Sequence, residues 1–437
     1  MMIIKLSLIL FLLFLLCFNC KKFLHILKND EWGNIQKNIL PQSYKFTKRL
    51  SFLEKHLENN GIGPNLSNMN DGFYNTHQYM LFPIFYNRLL EKLEHEENLT
   101  ITKDKDKASL YFIPYDIGMD ATTRNGDGAL VKTDCPHANL VVNLLQNDKN
   151  FKKSQGHNFF LLISINQNMG YYLTRECAKI FELCWNCTKL CIDSYPPVMY
   201  QELKEHPHRH HKWLSIPFPS NYHDSSDILI KPWKKNVNHF NERQYMITFM
   251  GTVRVTSSKG RKLRVKIKKE CQRRNNNECY VIELKSHESN TQLDSNIYSQ
   301  SHLCLMPPGD FPSRKAVLDA LFSGCVPVTF NLYTAHQQWL LHWKGMANTS
   351  MINIPFSHAM DDIIGTFDHL LNISRNKAIL MGRRDAFDSI ALRMQYSKIG
   401  TMKDRKKRKK KENRSKNNKE DTDADAVDVI INHLLLK

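Results

Sequence analysis

Beyond its first twenty or so residues the chain has no apolar run near the ~20 residues that cross a bilayer, so a polytopic membrane protein is excluded. With 17 Gly and 16 Pro in 437 residues it is also too poor in both for a collagen-like or proline-rich chain. Large apolar side chains are not lacking: 23 Phe, 16 Tyr and 6 Trp can fill cores, which rules out wholesale disorder. The length exceeds what one core of ~150 residues takes, so two packed domains are expected.

Acidic residues are the scarcer sign, 43 against 61 Lys and Arg, a net charge of +18. Half of that excess is local. Lys403–Lys419 holds eleven Lys and Arg against Asp404 and Glu412, and the closing Glu420–Lys437 is acidic. Such composition reads as a solvated tail without packed contacts. A nucleic-acid patch is the competing reading, and the other end of the chain argues against it. There Leu6–Cys20 is uncharged and apolar, flanked by Lys5, Lys21 and Lys22. The run reads as an uncleaved signal anchor. A cleaved leader would need a small-x-small site, and Asn19-Cys20-Lys21 is a poor one.

Six Asn-x-Ser/Thr triplets, at Asn65, Asn98, Asn186, Asn348, Asn372 and Asn413, permit a luminal domain. Nine of the 11 cysteines lie beyond the apolar run. Cys184, Cys187 and Cys191 have half the spacing of a zinc site. The other half would need Cys135, Cys177 or the His206, His208, His210 and His211 cluster, which sits in a polar loop. Disulfides in an oxidising lumen are the better reading, with at least one thiol left over from an odd count.

Apolar strands alternate with helical stretches twice along the chain. LYFIPYD at 110–116 and FFLLIS at 159–164 are strands around helical segments, and the proline-rich stretch 216–239 reads as a connection. YMITFMG at 245–251 then restarts the alternation. This is the pattern of two parallel α/β sheets.

The segment richest in chemistry is SHLCLMPPGDFPSRKAVLDALFSGCVPVTF at 301–330: strand, Gly-Asp loop, helix, glycine, strand. A loop feeding a helix start presents unbonded backbone N–H groups and the positive end of a dipole. Arg314 and Lys315 stand there, and Asp319 lies one turn further, placed for ribose hydroxyls. The alternative is a capped helix with a Lys315–Asp319 ion pair. Arg254, Lys259, Arg261 and Arg264, after the strand ending at Gly251, would add charge for a diphosphate or an anionic glycan, or are plain solvated charge. Asp116, Asp120, His77 and His157 are candidate general bases. Asp104-Lys105-Asp106 resembles a metal-holding D-x-D but precedes a strand and reads as a solvated face.

This segment resembles the signature of the exostosin-like glycosyltransferases through Gly309, Asp310, Ser313, Arg314, Asp319, Ala320, Gly324, Cys325, Pro327 and Val328, with looser matches from Asn75 onward. The resemblance implies an α/β fold with two facing Rossmann-like domains (GT-B type) after an N-terminal membrane anchor. The expected divisions are a short cytosolic end and anchor at 1–22, a stem at 23–70, an acceptor domain at 71–235, a nucleotide-sugar domain at 236–400 and the basic tail at 401–437.

It also implies inverting transfer from a UDP-sugar to a glycan or glycoprotein, without metal or other cofactor. The location implied is the Golgi or endoplasmic reticulum membrane, type II, and nucleic acid is not an expected partner. Gly251, Arg254, Arg261, Gly309, Asp310, Ser313, Arg314, Lys315 and Asp319 are the expected donor site, with Arg314 catalytic and Asp116 the candidate base. A non-catalytic luminal lectin or scaffold that kept the fold is the alternative.

Overall fold

A computed structural model describes residues 24–27, 56–66, 72–94, 102, 104–120, 122–124, 130–132, 135–164, 175–193, 213–223, 242–255, 257–284, 291–309, 313–397 and 424–436. The apolar leader, Asp310, the histidine cluster at 206–211 and most of the basic tail lie outside them. Among the described residues no helix is long and apolar enough to cross a membrane.

Two five-stranded parallel sheets carry the fold. The first has the order β1-β2-β5-β6-β7, from Leu24–Ile26, Leu110–Asp116, Phe159–Ile163, Thr188–Cys191 and Trp213–Ser215. A small antiparallel pair, β3 (Thr122–Arg124) and β4 (Leu130–Lys132), follows β2. Helices α1 (Leu81–Glu94), α2 (Ala138–Asn147) and α3 (Arg175–Leu183) accompany this half. Strand β2 is buried along its whole length, as a central parallel strand must be. Its Pro114 has no N–H for the ladder, and the register with β5 shifts between Ile113 and Asp116.

The second sheet has the order β12-β11-β10-β8-β9: Ile352–Asn353, Val326–Thr329, Ser301–Met306, Tyr245–Gly251 and Cys279–Glu283. Alternate residues serve opposite faces. Ile247, Phe249, Leu303, Leu305, Val326 and Val328 share one core with Leu263 and Ile267 of α4 (Ser258–Arg273) and Phe367 and Leu370 of α7 (Ile363–Arg375). Cys304 and Met306 face the other way, into a core with α6 (Lys315–Phe322) that continues into the first half. Between β9 and β10 runs α5 (Thr291–Ser299), and α8 (Lys377–Asp388) follows α7.

Two expected divisions need correction. Leu24–Ile26, placed in the stem, is a strand paired in parallel with Leu110–Phe112. Leu24, Ile26 and Leu27 are buried, a three-residue signal too short to stand out in a Lys-rich stretch. The tail is not solvated throughout: its end forms α9 (Ala426–Leu436), which buries Val427, Ile430, Ile431 and Leu434. At its start Asp425 accepts from Arg88 Nε at 2.8 Å, and Asp428 pairs with Lys92 of α1. Burial raises the Asp425 carboxyl, but Arg88 and Lys92 outweigh it and hold it below the carboxylate range.

Disulfides join Cys135 to Cys177, Cys271 to Cys279 and Cys304 to Cys325. The first removes two of the residues a zinc site would have needed.

Candidate functional site

The carboxyl ends of β8 and β10 meet the starts of α4 and α6, the place where parallel α/β sheets take ligands. What holds this corner is a buried guanidinium. Arg264 on α4 donates to Pro308 O at 2.9 Å through Nε, to Thr252 O at 2.6 Å and to Pro307 O at 3.1 Å. It therefore ties the loop after β10 to the loop after β8, with its face 5.9 Å from the Phe249 ring centroid. Arg314 adds a bond from Nη1 to Pro307 O at 3.1 Å.

The approach is close enough to require glycine at Gly260, which meets backbone, while at Gly309 the movable end of Arg314 would have to give way. A Cβ on Gly309 would sit 2.5 Å from Arg314 Nη1, and one on Gly260 would sit 2.9 Å from Pro308 O.

Helix α6 starts at Arg314, which makes no side-chain cap, so its first N–H groups face the loop. Ser313 is buried, and its Oγ has no hydrogen-bond partner among the described residues. Arg254 and Lys259 are exposed just beyond β8. Arg261 turns back to donate to Val255 O at 2.9 and 3.1 Å, shaping its own loop.

Asp319 makes the ion pair that the sequence offered as the alternative: it is buried, accepts from Lys315 Nζ at 2.8 and 3.0 Å, and accepts from the backbone N–H of Asn221 at 2.7 Å. Lys315 also donates to Asn221 Oδ1. The pair thus fastens the connection between the sheets to α6. Asp294 of α5 belongs to the same electrostatic cluster. Burial, and then the Asp319 charge, pushes its carboxyl up to about 7, with Lys315 opposing. Its Oδ1 is buried without a hydrogen-bond partner among the described residues.

The base candidates separate. Asp116 is buried at the end of β2 and accepts from both the hydroxyl and the N–H of Ser164, binding β2 to the end of β5. Asp120 accepts from Tyr115 OH at 2.7 Å, from His137 N at 3.1 Å and from His137 Nδ1 at 2.8 Å. That leaves Nε2 of a partly exposed imidazole as the basic nitrogen. The His77 ring lies 5.3 Å from that of His56, tilted against it, and His157 lies on the exposed turn before β5.

Sequence reasoning missed His137, Asn221 and the cluster membership of Asp294, because their partners lie 17, 98 and about 25 positions away, with no spacing rule to link them. Arg264 was seen only as one charge of a stripe. Among the described residues no three His, Cys, Asp or Glu side chains gather as metal ligands. Asp104 caps a turn, accepting from Asp106 N at 3.1 Å.

The Exostosin GT47 domain matches residues 35–361. Over 296 residues the chain is 27% identical to xyloglucan-specific galacturonosyltransferase 1 of Arabidopsis thaliana, covering 66% of this chain and 41% of that one. It is 25% identical over 295 residues to the probable xyloglucan galactosyltransferase GT15 of the same plant, covering 66% and 58%. The chain thus spans about half the length of these relatives. The crystal structure of the pneumococcal O-GlcNAc transferase GtfA with UDP and GlcNAc overlaps 65% of the chain and 61% of its own at a TM-score of 0.31 and 11% identity.

Proposed function

Since the chain belongs to the exostosin GT47 family of glycosyltransferases, we propose that it moves a sugar from a UDP-sugar to a glycan or glycoprotein acceptor, with inversion at the anomeric carbon. One observation carries the reading: a helix start flanked by Arg314, facing a glycine loop that Arg264 holds in place. Charge grows on the leaving diphosphate as the glycosidic bond breaks. Donors fixed in advance toward that charge act mainly in the transition state. In this reading Arg314 and the first N–H groups of α6 receive the diphosphate, and Gly309 and Ser313 stand beside it. Gly251 ends the strand beside it, and exposed Arg254 reaches the outer oxygens. Arg261 shapes the loop, and Asp319 acts by placing Lys315 and the segment through Asn221.

The base is assigned to His137 rather than Asp116. The Asp116 carboxylate is spent on Ser164, whereas Asp120 orients the His137 ring and will stabilise the imidazolium once a proton arrives. The two sheets are read as the two halves of a GT-B enzyme, and the leader as an anchor to the Golgi or endoplasmic reticulum membrane.

The test is UDP release from a panel of UDP-sugars by the purified full chain, beside Arg314→Ala and His137→Ala. The parent should release UDP with at least one donor in the presence of a glycan. Arg314→Ala should lose ~100-fold in turnover, and His137→Ala a similar factor with KM kept. A folded parent that binds glycans but releases no UDP from any donor would establish the lectin reading instead.

A further inference from the structure

Among the described residues three thiols, Cys184, Cys187 and Cys191, lie outside the three disulfides, and all are buried. Cys184 and Cys187 are the ends of one turn, Cys-Trp-Asn-Cys, that carries the chain from α3 into β6. Cys184 continues the helical bonding, its N–H donating to Ile180 O at 2.8 Å, and Cys187 N–H closes the turn on Cys184 O at 3.0 Å. Such a four-residue turn keeps its end Cα atoms within about 7 Å, and a disulfide asks for roughly 4.4–6.8 Å.

The two side chains lie close enough to interact, since the Cys187 thiol is the leading cause that pushes the Cys184 thiol up. The turn is fixed from outside by Asn186 Nδ2 donating to Gln155 O at 3.1 Å and Lys189 Nζ donating to Trp185 O at 2.7 Å. Cys191 is placed differently, on β6, with its thiol toward Asp193 Oδ1 at 4.0 Å.

We propose that Cys184 and Cys187 are a modification site, closing a fourth disulfide across this turn and leaving Cys191 as a thiol. Each sulfur gives up its proton, and the two electrons pass to a protein or small-molecule disulfide that is reduced to two thiols. This is the class of oxidant that closes the three existing bonds. Timing follows from the surroundings. In the folded dithiol the hydrogen bond from Cys187 and burial push the Cys184 thiol up, with Lys189 opposing, so little thiolate is present to react. The bond therefore forms while the turn is still open during folding, and burial then shields it from reductants. Its effect is to set where β6 begins, and with it the placing of buried Asp193 at that strand's end.

Tryptic chemistry separates the three thiols. Cleavage after Lys179 and Lys189 puts Cys184 and Cys187 on one peptide, Ile180–Lys189, and Cys191 on the next. The purified full chain is treated with peptide-N-glycosidase, because Asn186 begins an Asn-Cys-Thr triplet. It is then unfolded and labelled with N-ethylmaleimide without reduction, digested and weighed.

The expected result is an unlabelled Ile180–Lys189 peptide about 2 Da lighter than the dithiol, with Cys191 labelled. Two labels on that peptide, or a cross-link from it to the Cys191 peptide, overturns the proposal. A second measurement uses melting temperatures. Cys184→Ser, Cys187→Ser and the double variant should fall by the same amount, because each removes the same bond. Losses that add would mean two independently packed thiols, and would overturn it as well.

Discussion

Of the four cations singled out after β8, Arg254, Lys259 and Arg261 are exposed and Arg264 is buried, though all looked alike in sequence. The difference is geometric. Only Arg264 lies on the inner face of α4, beside Leu263 and Ile267, where its flat fork meets carbonyls from two loops. A lysine keeps the charge but not the fork. Arg264→Lys should therefore leave at least one buried carbonyl without its donor and cost about 1–3 kcal/mol of stability. Loss of loop position should lower UDP-sugar turnover ~100-fold, more than it lowers UDP affinity. Melting curves and steady-state kinetics on the same preparation check both.

Asp294 supplies a pH signature at the same scale. Its carboxyl stands at about 7 in the fold, above the ordinary carboxylate value. Between those two values the folded state binds more protons than the unfolded one, so this group's contribution falls as pH rises through that window and is flat above it. Asp294→Asn removes the fall. Measured against the parent, the variant should gain stability from pH 5 to pH 8, by an amount of order 1–3 kcal/mol given ~1.4 kcal/mol per unit. An identical difference at both pH values would mean that the carboxyl titrates normally.

Among the elements, α9 shows what composition hides. Its residues 426–436 are mostly apolar, but they follow a long run of Lys and Arg, and the average of the two reads as solvated. The helix docks because Asp425 and Asp428 meet Arg88 and Lys92 on α1 while Val427 and Ile430 enter the core. Asp425→Asn leaves Arg88 buried without its Nε acceptor, with Glu91 and the more distant Asp428 as the remaining carboxylates in that cluster. The cost should be about 3 kcal/mol or more. Replacing both Arg88 and Asp425 by apolar residues of similar size should recover most of it. Chemical denaturation of the single and double variants measures the difference.

Legibility follows the same division. Long strands such as Phe159–Ile163 and Ser301–Met306 carry continuous apolar runs and were readable. Short β1 and β7 take their identity from the strands they pair with, and no local pattern reports that. The helix start at Arg314 and the glycine before it were readable as a candidate anion site because that signal is local. The engagement of Asp319 with Asn221 was not, because it depends on how a distant segment folds back.

At the scale of the whole molecule, the two sheets are not independent bodies. Buried residues of β2 and β5 belong to the same apolar cluster as α6, Trp339, Trp343 and α9. Polar bonds run across as well: Trp339 donates from its ring to Ile192 O at 2.8 Å, and Tyr396 OH donates to Pro217 O at 2.8 Å. His223, neutral because burial lowers its pKa to about 4, donates from Nδ1 to Tyr396 O at 2.6 Å. Each such bond is worth only ~1 kcal/mol net, so polar contacts alone would let one half melt first. The shared core decides otherwise. Opening the junction would expose Trp339, Trp343 and Phe322 together with the apolar face of α9. Large side chains carry ~1.5–3 kcal/mol each on burial, a penalty comparable to the ~5–15 kcal/mol stability of a whole domain. Scanning calorimetry should therefore show one cooperative transition for the full chain, with calorimetric and van't Hoff enthalpies in agreement. Trp339→Ala removes one of the largest shared side chains and its ring bond to Ile192 O, and it is the variant in which a second transition should first appear. Two resolved transitions in the parent would mean that each half is held by its own sheet alone.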